Sequence, residues 1–329
     1  MASSRIDSPQ ETERTTGTAT FAKRPNIYLL EVFPPKAVSY CQTLFNTVLP
    51  TDPEIHNWRE NAHSILVREL IISADDIARA PKLRAIGKQG TGIDIIDQDA
   101  CAQRGIPILN TPGVNAQSVA ELVLTLTMAV ARQLRTISVN QALGKEVRKD
   151  HCCGTTMIGK SIGILGMGNI GTAVARIFQG AFNSPVYAYD PFAPADAWAD
   201  VPHTRVSKIE DLLPHVDVLT LHVPLNRKTR DMISMSQFEA MRPNAILINV
   251  ARGGIVNEDD LITALNKGLI WGAGLDCHVE EPPTEKRYKA LWETGKVIST
   301  PHIGATTAQT QVQTATEAMA HVFKFLTAA

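Results

Sequence analysis

The sequence predicts an α/β fold built on parallel sheets, and three observations support that prediction. Short apolar runs alternate with segments of helical pattern along most of the chain, which is typical of parallel sheets. Residues 161–171 join an apolar run to a helix through a glycine-rich turn, a connection typical of doubly wound sheets. The chain has 329 residues, which is long enough for two domains of ordinary size.

The first elements are short strands separated by helical segments. Residues 1–24 are rich in Ser, Thr and charged side chains, so we predict a disordered tail there. Residues 73–80 have a helical pattern. The apolar runs that predict the strands around this helix are 26–30, 63–67, 83–87 and 106–110.

A long helix is predicted next. Pro112-Gly113 interrupts the chain, and residues 117–144 then predict one continuous helix. Apolar residues lie on nearly every face of this helix, which favours its burial between domains or between subunits.

The second half again alternates strands and helices. Residues 306–327 have a helical pattern, and we expect this last helix to return the chain to the first domain. Polar residues follow several of the strands, where open α/β sheets bind their ligands. After the glycine-rich turn the predicted strands are 186–190, 216–221, 245–249, 272–275 and 297–299.

Composition argues against several classes of partner. The net charge of −1 gives no electrostatic reason to expect nucleic acid or an anionic membrane as a partner. The longest apolar stretch, 122–131, is too short to span a bilayer. The five cysteines show no metal-binding spacing, and their odd number argues against a disulfide framework. We therefore expect no metal and a cytoplasmic location; acidic residues within the tail also argue against a transit peptide.

The glycine-rich turn predicts a dinucleotide site. Gly166 permits the tight turn, Gly168 admits a pyrophosphate, and Gly171 lets the helix pack close to the strand. The helix N-terminus then offers N–H groups to the phosphates. Asp190, at the end of the next strand, can accept both ribose hydroxyls and would repel a 2′-phosphate, so the prediction is NAD rather than NADP.

Three residues that follow later strands suit the reduction of a 2-oxo acid. Arg252 can hold a carboxylate and a carbonyl oxygen in a two-pronged grip. His302 can exchange a proton near neutral pH, and Glu281 can orient its ring and raise its pKa. Purely structural roles stay open for each. Glu280 competes with Glu281, and His278 is close enough in sequence to line the pocket.

Together these segments resemble the D-isomer-specific 2-hydroxyacid dehydrogenase family from about residue 60 to residue 320. The resemblance implies catalytic roles for Arg252, Glu281 and His302. The motifs that carry it are the glycine-rich turn with Asp190 and the segments 249–254, 274–282 and 301–305.

The resemblance also implies two Rossmann- or flavodoxin-like domains, each a doubly wound parallel sheet, with a cleft between them. Residues 25–113 and 304–329 would form the substrate domain, and residues 114–303 the NAD-binding domain inserted between those segments. In the family, the helix that starts near Gln117 typically crosses to a partner subunit, so a homodimer is implied.

Ligand contacts are implied by position in the same way. The substrate would lie against Gly90, Thr91 and Gly92, whose backbone N–H groups hold its carboxylate in the family, and against Arg68, Arg252 and His302. The implied cofactor contacts are Gly166, Gly168, Asn169, Ile170, Gly171, Asp190, Val223, Pro224, Val250, Ala251, Asp276 and Thr91.

Within the family the chain looks most like phosphoglycerate dehydrogenase members without a regulatory domain, through residues 89–94 and 110–121. Two departures matter. Val67-Arg68-Glu69 stands where Arg-Ser is usual, and Cys277-His278 replaces the common Val-Phe. Arg68 and Lys88 either bind a substrate phosphate or are solvent-facing charges.

The predicted function is an NAD-dependent oxidoreductase that interconverts a D-2-hydroxy acid and its 2-oxo acid, with His302 as acid and base. A glyoxylate, hydroxypyruvate or aryl 2-oxo acid reductase is the alternative among enzymes. An NAD(H)-sensing corepressor is the alternative outside enzymes, because such proteins share the fold and keep the same Arg, Glu and His.

Overall fold

The first part of the chain builds a five-stranded sheet, in a computed structural model that describes residues 24–328. Its strands are β1 (Asn26–Leu29), β2 (Asn46–Val48), β3 (Ser64–Val67), β4 (Ala85–Lys88) and β5 (Ile108–Leu109). They lie in the order β2-β1-β3-β4-β5, and every neighbouring pair is parallel.

The second part builds a seven-stranded sheet. Its strands are β6 (Ile162–Leu165), β7 (Val186–Tyr189), β8 (Thr204–Arg205), β9 (Val218–Leu221), β10 (Ile246–Asn249), β11 (Gly272–Leu275) and β12 (Val297–Ser299). They lie in the order β12-β11-β10-β9-β6-β7-β8, again with parallel neighbours throughout. The two sheets confirm the predicted fold class.

Helices cover the sheets. They are α1 (Pro35–Leu44), α2 (Trp58–Asn61), α3 (Ala74–Ala78), α4 (Gln98–Gln103), α5 (Ala116–Ala131), α6 (Leu134–Ala142), α7 (Asn169–Phe182), α8 (Met235–Ala240), α9 (Glu258–Lys267), α10 (Glu285–Glu293) and α11 (Ala308–Thr327). Apolar clusters fill the spaces between helices and strands, two around each sheet. Central strands such as β6, β9 and β10 are buried along their whole length, as expected of parallel strands covered on both faces.

The last helix packs against the first sheet. α11 contacts α1, β3, β4 and β5. A Cβ at Gly87 in β4 would lie 2.9 Å from the side chain of Val322, so the helix lies close against the strand there. The boundaries proposed for the two domains stay predictions, and the predicted tail lies, up to residue 23, outside the described residues.

The long helix predicted for residues 117–144 is wrong, because it breaks in two. Gln133 has a left-handed backbone conformation, with φ of 54°, and α5 and α6 meet there at 68°. α5 packs on α7 and on β10 and β11, whereas no residue of α6 is buried. The second half of the predicted helix therefore leaves the core that holds the first half.

No single helix among residues 24–328 is both long and apolar enough to cross a membrane. The bent pair α5 and α6 reaches the required length only when the two are taken together.

Candidate active site

Loops from several strands of the second sheet meet at one edge. The strand order changes direction between β6 and β9, and doubly wound sheets bind their ligands at the carboxyl ends of the strands beside such a point. The loops after β6, β7, β9, β10, β11 and β12 carry the predicted catalytic residues and most of the predicted cofactor contacts.

The glycine turn after β6 has the shape that a pyrophosphate requires. A Cβ at Gly166 would lie 2.5 Å from the carbonyl oxygen of His222, and one at Gly171 would overlap the carbonyl oxygen of Gly166. A Cβ at Gly168, in contrast, would meet nothing within 4 Å. Open space therefore lies in front of α7, whose N-terminus carries no side-chain cap and begins with Asn169 and Ile170. These features fit a dinucleotide phosphate.

Asp190 lies immediately after β7 and ties that strand end to the glycine turn. Its Oδ2 accepts a hydrogen bond from the Met167 N–H at 2.9 Å, and its Oδ1 accepts one from the Phe192 N–H at 2.9 Å. The carboxylate is thus fixed beside the turn. Its contact with a ribose stays a prediction.

The other predicted cofactor contacts lie along the same edge. Val223 and Pro224 follow β9, and a Cβ at Gly166 would lie 3.3 Å from the side chain of Val223. Val250 and Ala251 follow β10 and are almost fully buried. Their roles towards NAD stay predictions.

His302 and Glu281 form a hydrogen-bonded pair. The Nδ1 of His302 lies 2.9 Å from Oε2 of Glu281. The structure therefore brings Glu281 to the histidine, while the competing Glu280 accepts a hydrogen bond from the Thr284 hydroxyl instead. His302 has a left-handed backbone conformation, with φ of 58°, which is uncommon outside glycine and is often found at functional sites.

This pairing shifts both pKa values in the direction that acid–base chemistry needs. The hydrogen bond to Glu281 raises the pKa of His302 above its ordinary value, although burial opposes the shift. Burial alone would raise the pKa of Glu281, but the hydrogen bond and charge of His302 hold it below its usual range. Glu281 is therefore ionised and His302 gains protonated character near neutral pH.

Asp276 holds the turn that carries His302. Its carboxylate is fully buried at the end of β11 and accepts hydrogen bonds from the Thr300 hydroxyl at 2.6 Å, the Ile303 N–H at 2.7 Å and the Gly304 N–H at 2.8 Å. Its backbone carbonyl accepts the His302 N–H at 2.8 Å. These bonds fix the histidine in place; the predicted cofactor contact of Asp276 stays a prediction.

Arg252 follows β10 and reaches the first sheet. The side chain of Asn249 shapes its turn by donating to the Arg252 carbonyl at 2.9 Å. The guanidinium pairs with Asp94, from the loop after β4, with Nη2 and Oδ1 3.0 Å apart. A Cβ at Gly92 would overlap Nη2, so glycine at that position lets the guanidinium lie against the loop.

Comparison with known proteins places this site in a family. A model of the NAD binding domain of D-isomer specific 2-hydroxyacid dehydrogenases matches residues 124–304. The chain is 37% identical over 255 residues to the hydroxypyruvate reductase of Thermotoga maritima, covering 78% of this chain and 81% of that protein. The crystal structure of the TT0316 protein from Thermus thermophilus superposes with a TM-score of 0.79 at 30% identity, over 89% of this chain and 94% of that one.

A third relative is the D-3-phosphoglycerate dehydrogenase of Methanocaldococcus jannaschii, 38% identical over 240 residues and 73% of this chain. The match covers 45% of that protein, so the chain spans about half its length. The chain belongs to the D-isomer specific 2-hydroxyacid dehydrogenase family. This membership confirms the predicted resemblance, the predicted enzyme class and NAD as the cofactor. The roles of individual residues stay predictions.

The backbone N–H groups of the loop after β4 in this dehydrogenase differ in whether they already donate a hydrogen bond within the protein. The N–H of Gly90 donates to the Thr111 hydroxyl at 3.1 Å, so it is already engaged. No such bond ties the N–H groups of Thr91 and Gly92 to another part of the described chain. The hydroxyl of Thr91 lies 3.1 Å from Oδ1 of Asn115, which holds the loop beside α5.

Charged residues crowd the carboxyl ends of β1, β3 and β4. Glu31 accepts hydrogen bonds from the N–H groups of residues 68–70, at distances of 2.5–3.2 Å. Arg68 pairs with Glu69 at 3.2 Å. Lys88 is 7% exposed and donates to the Gln89 carbonyl at 2.6 Å, and among residues 24–328 it forms no ion pair. Burial lowers the pKa of Lys88 to about 8.

One close neighbour of the acid–base pair was not singled out as a site residue by sequence analysis. The Sγ of Cys277, a carboxylate oxygen of Glu281 and a ring nitrogen of His302 lie within 4.8 Å of one another. Burial raises the pKa of this thiol well above its ordinary value, so it is protonated and neutral. The departure from the common Val-Phe was the available signal. His278 is 3% exposed and bonds to the Ser299 hydroxyl at 2.8 Å.

Proposed function

We propose that this dehydrogenase interconverts a D-2-hydroxy acid and its 2-oxo acid through Arg252, Glu281 and His302. The observation that carries the proposal is the 2.9 Å hydrogen bond between His302 Nδ1 and Glu281 Oε2. It turns Nδ1 towards the carboxylate and leaves Nε2 as the ring atom that can exchange a proton with the substrate.

Arg252 and the loop after β4 bind the acid end of the substrate. The guanidinium can hold one carboxylate oxygen and the carbonyl oxygen together, because its donors form a planar fork. The N–H groups of Thr91 and Gly92 can donate hydrogen bonds to the second carboxylate oxygen. Asp94 keeps the guanidinium oriented before the substrate arrives.

The proton moves at Nε2 of His302. In the direction of reduction, the protonated ring donates to the carbonyl oxygen as it becomes a hydroxyl; in oxidation the neutral ring takes that proton back. Glu281 stays ionised and stabilises the charged ring in both directions. NAD, held at the glycine turn and near Asp190, supplies the hydride chemistry.

Two classes of 2-oxo acid are each favoured by one observation at the edge of the five-stranded sheet. The buried ammonium of Lys88 favours a substrate with a second anionic group, such as a phosphorylated 2-oxo acid. Arg68 is already paired with Glu69, which favours a small or aryl 2-oxo acid without a phosphate.

A substrate panel tests the proposal directly. NADH oxidation is measured with 3-phosphohydroxypyruvate, hydroxypyruvate, glyoxylate, pyruvate and phenylglyoxylate. We expect turnover with at least one of them at an ordinary rate of roughly 1–10³ per second. A protein that binds NADH but turns over none of these acids would contradict the proposal and favour the alternative of a nucleotide sensor.

We also propose that the protein is a homodimer, assembled through the region of α5 and α6. Support comes from α6 and the residue after it, where Leu134, Val139 and Leu143 are 49%, 47% and 65% exposed. Such apolar exposure along one helix is typical of an interface. Sedimentation of the protein tests this point. A cytoplasmic location is proposed on the five unpaired cysteines.

A further inference from the structure

A buried polar pair lies behind the loop that carries Glu281. Glu258 is the first residue of α9 and is 7% exposed; Tyr288 lies in α10 and is 2% exposed. The Tyr288 hydroxyl and Oε1 of Glu258 are 3.2 Å apart. Neither residue belongs to the acid–base pair, and both come from helices that flank the second sheet.

Both side chains hold the backbone of the loop. The Val279 N–H donates to Oε1 of Glu258 at 2.9 Å, and the Glu280 N–H donates to the Tyr288 hydroxyl at 2.9 Å. The N–H just before them, that of residue 278, donates to Oε1 of Glu281 itself at 3.0 Å. Three successive N–H groups are thereby engaged, and the carboxylate that follows them has little freedom to move.

The other end of the pair is anchored as well. Arg287 lies 3.5 Å from Oε2 of Glu258, and the ring of His278 packs edge-on against Tyr288 with centroids 5.0 Å apart. Removing only the Tyr288 hydroxyl would leave the ring contacts intact. It would free the Glu280 N–H, which lies next to Glu281 in the chain.

We propose that Glu258 and Tyr288 are positioning residues for the reaction, which keep the Glu281 carboxylate at hydrogen-bonding distance from His302 by fixing residues 278–280. The inference rests on the proposed function of the Glu281–His302 pair. Tyr288 acts through the loop and touches neither substrate nor cofactor.

The titratable groups around His302 indicate that Glu258 and Tyr288 influence its ring through Glu281. The titratable groups that face its ring are Glu281, Arg252, Asp276, His278 and the neutral thiol of Cys277. Glu258 is not among them. The pKa of Tyr288 is raised to about 12 by burial, so the hydroxyl stays neutral throughout an ordinary assay range.

The test is the pKa of His302 in the Tyr288→Phe variant, followed by NMR of the histidine ring signals and assigned with His302→Ala. We expect that pKa to fall from its raised value, because the carboxylate loses its fixed position beside the ring. The rate of 2-oxo acid reduction should fall about tenfold, while the affinity for NADH stays unchanged. Tyr40→Phe is the matched control: it removes a hydroxyl from α1, which lies beside the five-stranded sheet, and should change neither the His302 pKa nor the rate.

A second variant separates positioning from packing. Glu258→Gln keeps an oxygen that can accept the Val279 N–H, so it should preserve more of the His302 pKa shift than Glu258→Ala. Lower thermal stability with an unmoved His302 pKa would mean a structural role only and would overturn the proposal. The NMR reading does not need turnover, so a wild-type protein that is silent on every 2-oxo acid would refute the proposed function without deciding this point.

Discussion

The two sheets contribute different chemistry at their carboxyl edges. On the seven-stranded sheet, neighbouring polar side chains fix the turns that carry the reactive residues. Asp276 holds the turn of His302, and Asn249 shapes the turn of Arg252. On the five-stranded sheet the charged groups mostly bond to nearby backbone or to one another. Glu31 binds the backbone of residues 68–70, and Arg68 pairs with Glu69.

This difference between the two edges indicates which of them determines the reaction and which determines the choice of substrate. The edge of the seven-stranded sheet is preorganised for one proton transfer, which suits chemistry that every substrate shares. At the edge of the five-stranded sheet, Lys88 is a buried cation whose hydrogen-bond partner is a backbone carbonyl. An anionic group of the substrate can pair with this ammonium. We therefore expect substitutions at the first edge to affect all substrates and substitutions at the second to affect some.

The largest effect should follow from His302→Ala. Without a proton donor at the carbonyl oxygen, turnover should fall by about 10²–10⁴-fold for every 2-oxo acid, while NADH binding is retained. Steady-state rates and NADH titration by fluorescence measure the two quantities. His321→Ala is the matched control, because His321 also pairs with a carboxylate, that of Glu317 at 3.3 Å, but lies on α11. Near-normal turnover of the His302 variant would remove it from the mechanism.

Sequence reasoning worked best where a residue type has one conformational or chemical use. Gly166 has a positive φ of 101° and lies close to His222, a conformation that favours glycine. The glycine pattern therefore predicted the turn from the sequence alone. Arg252, Glu281 and His302 each follow an apolar strand, and strand ends of a parallel sheet meet at one edge. The pairing of Glu281 rather than Glu280 required the actual course of the loop.

The structural features that the sequence did not predict have physical causes. The break at Gln133 depends on which residues the sheet can bury, because helical propensity alone continues through that position. The edge strands β2 and β8, three and two residues long, are too short and too exposed to give a pattern. The contacts of Tyr288 and Glu258 join residues 30 positions apart. No local pattern specifies such a pair.

The next largest effect concerns the pH dependence at the first edge. Reduction should be fastest at low pH and should fall as pH rises through the pKa of His302, because the proton donor is lost. Glu281 raises that pKa. In Glu281→Gln the fall should therefore occur at lower pH, with a loss on the order of tenfold near neutrality. Glu280→Gln controls for charge, and an unmoved pH profile in Glu281→Gln would contradict the pairing.

An effect of similar size is expected at Asp190, which tests the nucleotide end of the same edge. Asp190→Asn keeps an oxygen for the Met167 N–H but removes the charge that repels a 2′-phosphate. The ratio of kcat/KM with NADH to that with NADPH should fall by about tenfold. Asp200→Asn is the control, since that carboxylate is exposed and pairs with Arg176. An unchanged ratio would mean that Asp190 only closes the glycine turn.

The effect that separates the two edges is expected from Lys88→Gln, and it should fall on one class of substrate only. A charged hydrogen bond contributes about 1.5–3 kcal/mol, so kcat/KM for 3-phosphohydroxypyruvate should fall at least about tenfold, with hydroxypyruvate changed by less than about twofold. The Lys88 ammonium faces Arg252, Asp94, Glu31 and Glu69.

The pH dependence of KM in the wild-type protein is a second test of the role of Lys88. The pKa of Lys88 is lowered to about 8, so the ammonium is present below that pH and is lost as pH rises through it. The KM for the phosphorylated acid should rise over that interval, whereas the KM for hydroxypyruvate should not. Lys82→Gln, at an exposed position, should change neither value. Equal losses for both acids in Lys88→Gln would mean that this lysine belongs with the shared chemistry, and the contrast between the two edges would then be wrong.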